Sequence, residues 1–439
     1  MSSKQRRVVI TGIGLVSPLG STKESLWEAL HQGRSGVGPL TAVSPGAVPV
    51  HVAAEAKQFT GEIEDFGPLE KEQKKQIRKA LRVMCRECQM GVAVAQLALT
   101  DAAIEVGTID PDRMGISYGT DYMLSLPEEF NEGIRQCLNN EGIFEFPRWG
   151  LEGLSKMSPL WLLKYLPNMP ASHVAIFNDF RGPSNSLTLR EAGSNMAVGE
   201  AYQIIRRGNA DAMLCGATGT RLHAMKIVHA VSQEEVACGN GDPTKVSRPF
   251  DQNRSGMVLG EGAAAIVIEE LAHAQARGAA IYGEIVAASS RAAAAPRLVA
   301  RRKVAMANVL RALLQDSGVQ ADQIDHLHAH GLSTRSCDVE EAQAIAEVFG
   351  QRARTLPVVA AKSYFGNLGA GSGMVELIAS LLALRAGSLF PTLNYSTPDA
   401  ECPIHVVRDH STPAGKRFIN LNVTPQGQAS GVVVQQLSP

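Results

Sequence analysis

Strand and helix signals run twice in the same order along the 439-residue chain, and this repetition constrains the fold more than any other feature. The first run opens at residues 8–20, VVITGIGLVSPLG, an apolar strand ending in a glycine-rich turn. Thr22 then begins a segment with helical spacing that reaches Leu30. Periodicity predicts one helical stretch over residues 71–106, a buried strand over 114–118, a helix over 196–207, and strands over 212–216 and 263–269. A second run starts with a strand at residues 281–287 and repeats the alternation. Alternation of this kind predicts an α/β fold in which helices cover a buried sheet. The echo predicts two duplicated halves, residues 1–272 and 273–439, with the join near residues 270–280. Residues 125–180 are irregular and richer in proline and aromatics, and they read as a cap or insertion on the first half.

Several function classes are disfavoured at this level. The formal net charge is −1, with no long basic run, which argues against nucleic acid as a partner. The basic opening residues lead into a strand-like segment, and no run of about 18 apolar residues suggests a membrane span. A cytoplasmic protein is therefore expected. The seven cysteines are scattered and odd in number, as in a chain with reduced thiols. Cys85 and Cys88 form a CxxC, but no second Cys or His pair stands at zinc-like spacing. The Gly-Ile-Gly at residues 12–14 lacks the third glycine of a dinucleotide fingerprint.

A more specific signal comes from blocks read in order. They are Gly-Pro-Ser at 182–184, Gly-Glu-Ala at 199–201, Ser-Arg-Pro-Phe-Asp at 247–251 and Gly-Glu-Gly at 260–262. Ala-His-Gly at 329–331, Ser333 with Thr334, Lys362 with Ser363, Gly366, Val375 with Glu376, and Pro-Thr-Leu-Asn at 391–394 complete the series. In this order and spacing the chain resembles the β-ketoacyl-ACP synthase II branch of the thiolase superfamily over almost its whole length. The resemblance implies a thiolase-like αβαβα layered fold and tight dimers. It also implies acyl chains delivered on the phosphopantetheine arm of acyl carrier protein, with no other cofactor.

Departures from that family pattern bear on function. The family carries a Cys-His-His set, its cysteine on a sharp turn at a helix N-terminus, where amide dipoles favour the thiolate. Counted from Gly182 and checked back from Gly199, the cysteine position falls on Glu191. The first histidine is kept as His330; the second becomes Asn367. Lys362 is kept, as are Asp338 and Glu341, and an ion pair of Lys362 with one of these two carboxylates is expected to order the site. Of two threonines that resemble phosphopantetheine contacts, one is Leu332 here and Thr334 remains. The C-terminal Gly-Phe-Gly-Gly gate reads Thr424-Pro425-Gln426-Gly427, and Pro425 has no N–H for an oxyanion. Cys337, seven residues after His330, is read as incidental.

Three functions follow from the resemblance. A carboxylate cannot take the thiolate's place in ordinary transthioesterification, so the chain is expected foremost as a non-condensing partner of a Cys-containing ketosynthase, similar to chain-length factors. A glutamate at a helix N-terminus stabilises the helix by about 0.3–1 kcal/mol, which suffices to retain it for fold alone. The second function is malonyl-ACP decarboxylation with His330 and Asn367 as enolate donors, although an ionised Glu191 repels the developing charge. In the third, Glu191 is a general base for condensation or acyl transfer; burial raises its pKa and the helix N-terminus lowers it, and the sequence leaves the sign open. His330 can equally be a hydrogen-bonded strand-end residue, and Asn367 a turn residue.

Overall fold

Both faces of the first strand are buried along its whole length, which requires a layer on each side of it. A computed structural model, describing residues 6–239 and 241–437, supplies those layers. The strands are β1 (Val8–Val16), β2 (Met114–Thr120), β3 (Ser184–Thr188), β4 (Ala212–Thr220) and β5 (Glu261–Glu270) in the first half. The second half contributes β6 (Gly283–Ala292), β7 (His326–His328), β8 (Pro357–Val359), β9 (His405–Val406), β10 (Arg417–Val423) and β11 (Gln428–Gln435). The helices that frame them are α1 (Arg86–Asp101), α2 (Gly193–Arg206), α3 (Ala224–Gln233), α4 (Arg302–Ser317), α5 (Arg335–Phe349) and α6 (Ser372–Ala386).

The strand order is β3-β2-β4-β5-β1 in the first half and, outside the short edge strand β9, β8-β7-β10-β11-β6 in the second. Numbered within each half, both read third, second, fourth, fifth, first. The senses also match: the first three strands run parallel, and the fourth, fifth and first alternate antiparallel. The two half-sheets are joined only where Val8, Val9 and Ile10 of β1 pair with Ile285, Glu284 and Gly283 of β6.

Helices α2 and α6 pack between the half-sheets, α1 covers the outer face of the first and α4 with α5 the outer face of the second, which gives five αβαβα layers. The central position of α6 follows from its sequence: residues 372–384 are buried on every side, as an all-round apolar helix requires. With the turn before it, Gly369–Ala386 is apolar and long enough to cross a bilayer, contrary to the expectation that no such run exists, but nearly all of it lies in the core. Gly12 and Gly14 have a packing role. A Cβ at Gly14 would lie 2.1 Å from the Val94 carbonyl oxygen, so these glycines let α1 rest directly on β1.

The single helical stretch expected over residues 71–106 is divided. Helix Lys71–Ala80 and a 3-10 turn, Leu81–Val83, precede α1, and Cys85 is extended as the α1 N-cap. The Cys85 amide donates to the Lys164 carbonyl at 3.3 Å instead of continuing a helix. Residues 125–180 form short helical turns, with longer helical pieces at Asn131–Gln136 and Met169–Asn178, and expose Phe146 and Leu151.

Candidate active site

Strand β3 and helix α2 meet in a turn, Arg190–Ala192, that holds Glu191. Arg190 has φ of +50°, a left-handed conformation costly for a side-chain-bearing residue and often stored at functional turns. The close approach of Gly119 to Gly193 fixes this turn, since a Cβ on Gly119 would lie 2.6 Å from the Gly193 carbonyl carbon. Ser430 Oγ donates to the Ala192 carbonyl at 2.9 Å and ties the turn to β11.

Glu191 is 1% exposed and is held by cations. Its Oε1 accepts from Arg221 Nη1 at 2.6 Å and from Asn367 Nδ2 at 3.0 Å. Oε2 lies 3.5 Å from Arg190 Nε, and neither of these two atoms has a hydrogen-bond partner. Arg190 Nη2 donates to Glu234 Oε1 at 2.8 Å, and Arg221 Nη2 donates to the same oxygen. Glu234 lies at the end of α3, so the four side chains form a charge-balanced quartet drawn from three segments. Burial pushes the Glu191 carboxyl upward, but Arg190 and Arg221 outweigh it and hold the group well below the usual glutamate range. Its sign, left open by the sequence, is thus set by arginines and not by the helix terminus.

His330 follows β7 in a loop pinned by carboxylates. Glu341, on α5, accepts the backbone N–H of His330 at 2.7 Å and of Gly331 at 2.8 Å. Asp338 accepts those of Leu332, Ser333, Thr334 and Phe250 at 2.8–3.3 Å. Both acids are therefore occupied by loop amides, and Lys362 does not pair with either, contrary to expectation. Lys362 Nζ instead pairs with Glu376 of α6 and donates to the His330 carbonyl at 2.8 Å. The His330 ring presents Nδ1 to Lys362 Nζ at 3.3 Å and to Asn422 Nδ2 at 3.4 Å. Both neighbours are donors, which assigns the ring proton to Nε2. Burial, then Lys362, lowers the His330 pKa well below its usual value, so the ring is neutral near pH 7.

A cavity of about 400 Å³ reaches Glu191 and His330 and is also lined by Leu332, Thr334, Thr424 and Pro425. Thr334 lines it while its Oγ1 caps α5 by accepting the Cys337 N–H at 3.3 Å. Thr424 and Pro425 stand in the turn between β10 and β11. Asn367 lies behind Glu191, away from the cavity wall, and acts as a turn residue as well: its Oδ1 accepts from the Gly369 N–H at 3.0 Å and Ser372 Oγ at 3.2 Å. Cys337 touches the cavity, but burial raises its thiol well above the usual range, which removes it as a nucleophile.

Sequence reasoning missed Arg190, Arg221, Glu234 and Asn422 as site residues. Arg190 was visible beside Glu191; Arg221 and Glu234 become neighbours only when β4 and α3 fold against the turn, and the sequence carries no spacing signal for them.

The family pattern described as "Beta-ketoacyl synthase, N-terminal domain" matches residues 5–274, and its C-terminal domain matches residues 282–396. The 3-oxoacyl-[acyl-carrier-protein] synthase 2 of Synechocystis sp. is 32% identical over 416 residues, covering 93% of this chain and 92% of that protein. A β-ketoacyl synthase structure from Burkholderia phymatum superposes with a TM-score of 0.84 at 28% identity, covering 99% and 100% of the two chains. The ishigamide ketosynthase/chain length factor gives a TM-score of 0.81 at 25% identity, again covering 99% and 100%.

Proposed function

The chain belongs to the β-ketoacyl synthase family, and from that premise we propose that it is a non-condensing, chain-length-factor-like partner of a Cys-containing ketosynthase in fatty-acid or polyketide assembly. The observation that carries this reading is the quartet around Glu191, the residue that counting along the sequence assigns to the family's nucleophile position. A carboxylate paired with two arginines is a poor nucleophile and a poor base, because proton uptake or bond formation at its oxygens must overcome both charges. The 400 Å³ cavity beside it suits the phosphopantetheine arm of an acyl carrier protein passing Thr334 and Thr424.

Pairing with a second subunit is supported by the edge of the first half-sheet. Strand β3 is largely exposed, with an unpaired ladder side, and Phe146, Leu151 and Ile176 of the neighbouring segment are exposed apolar residues. A homodimer or a heterodimer with a ketosynthase would cover both features. Coexpression with a cysteine-bearing ketosynthase is expected to give a 1:1 heterodimer; an exclusive homodimer would count against the partner role.

A second reading, malonyl-ACP decarboxylation or Glu191-dependent acyl chemistry, is favoured by one observation: a neutral His330 and Glu191, whose Oε2 has no hydrogen-bond partner, line the same cavity. Against it, the Asn367 amide is already engaged by Glu191 and is not free to hold an enolate. Intact-mass spectrometry of malonyl-ACP and acyl-ACP after incubation with the protein separates the readings. Unchanged carriers are expected; acetyl-ACP, free ACP or an extended chain would establish an enzyme.

A further inference from the structure

Three sulfur atoms converge at the start of α1, and none of them belongs to the quartet. Cys85 is the α1 N-cap, and Cys88 lies one turn later on the same face. Their Sγ atoms are 3.6 Å apart. Met123, from the segment that follows β2, brings its Sδ to 3.7 Å from Cys85 Sγ and 3.9 Å from Cys88 Sγ. The triangle is nearly equilateral, so a point at its centre lies about 2.2 Å from each sulfur, close to the ~2.3 Å of a metal–thiolate bond.

We propose that Cys85, Cys88 and Met123 form a three-coordinate site for a soft monovalent metal ion of the Cu(I) type. Donor chemistry sets the class of ion. Thiolates and a thioether select soft metals, whereas Zn²⁺ requires a fourth ligand in a closed site. Among the described residues no group of three His, Cys, Asp or Glu side chains is placed to hold a metal, so nitrogen and oxygen donors do not complete the set. CxxC spacing alone misses the site, because its third donor lies 35 residues beyond Cys88 and carries no metal signature.

Access is available from one side. Cys88 and Met123 are buried, but Cys85 is partly exposed and, with Met84 and Leu126, lines a second cavity of about 580 Å³. Each cysteine must shed its thiol proton to bind as a thiolate. Loading one Cu⁺ forms two Cu–S thiolate bonds and one Cu–thioether bond and releases two protons to solvent through that cavity. No oxidation state changes.

The test uses the full chain in a Cys238→Ser background, since Cys238 is the exposed cysteine among the described residues. Cu(I) is titrated under argon against a chromophoric Cu(I) chelator. One equivalent is expected to be withheld from the chelator, with thiolate-to-metal ultraviolet absorption. Cys85→Ser should abolish retention and Met123→Leu should weaken it by about an order of magnitude, both with unaltered thermal melting. The proposal is overturned if the chelator keeps all the copper or if Met123→Leu binds as tightly as the parent. It is also overturned if freshly purified protein carries the Cys85–Cys88 peptide lighter by two hydrogens, which would make the pair a redox disulfide.

Discussion

Two buried carboxylate systems stand in opposite halves of the molecule, and they are built on different principles. In the second half, Asp338 and Glu341 accept backbone N–H groups of the 330–334 loop, so their task is to hold chain geometry. In the first half, Glu191 accepts one guanidinium and one amide side chain while a second guanidinium stands beside its other oxygen. One system is bound by the main chain, which every sequence carries. The other depends on four particular side chains. A site bound by main chain persists through side-chain change; a side-chain quartet stands or falls as a unit.

Removing one member of that unit should break the contrast most strongly. Arg221→Leu leaves Glu191 buried opposite a single guanidinium and is expected to lower stability by about 3–5 kcal/mol in denaturant melts. The double variant Glu191→Leu/Arg221→Leu should recover most of that loss, because Arg190 and Glu234 remain paired. A double variant as unstable as the single one would mean that the quartet does not act as a unit. On the opposite side, Glu341→Gln turns one acceptor into a donor facing a loop N–H. It should cost about 1–3 kcal/mol and, if the loop alone carries the effect, leave the Glu191 quartet intact. Thr334→Ala removes the α5 cap and should cost about 1 kcal/mol.

The smallest expected effect concerns pH. Glu191 has a folded-state pKa depressed below its ordinary value of 4.5. Its contribution is therefore fully present above that value and is lost as pH falls toward the folded pKa. The stability difference between the parent and Glu191→Gln should stay level from neutral pH down to about pH 5 and shrink below about 4.5. A difference that shrinks near pH 7 would instead mark Glu191 as a working base.

The same contrast explains what could be read from the sequence. Strand and helix order was legible because buried strands and packed helices leave periodic apolar patterns, and the blocks around Gly182, His330 and Lys362 pointed to side chains that the fold brings near one another. Glu191 was found by counting along the chain. The distant members of its quartet were not, since Arg221 stands 30 residues away and Glu234 stands 44 from Arg190. Lys362 was matched to Asp338 or Glu341, the acidic pair downstream of His330. The structure pairs it with Glu376 because loop amides had already claimed those two acids. Residues 125–180 gave little periodic signal, as their short turns and exposed apolar side chains predict.

The narrow join between the half-sheets has a consequence for how the chain is made. Every strand of the first half precedes residue 271, so a chain growing from its N-terminus can finish that half-sheet before β6 has been synthesised. At that stage Val8, Val9 and Ile10 offer an open ladder, and one flank of α2 has nothing against it. The first strand made is thus the last of its half-sheet to gain a second neighbour. Translation of the second half closes that seam, and until then the nascent chain carries its own sticky edge.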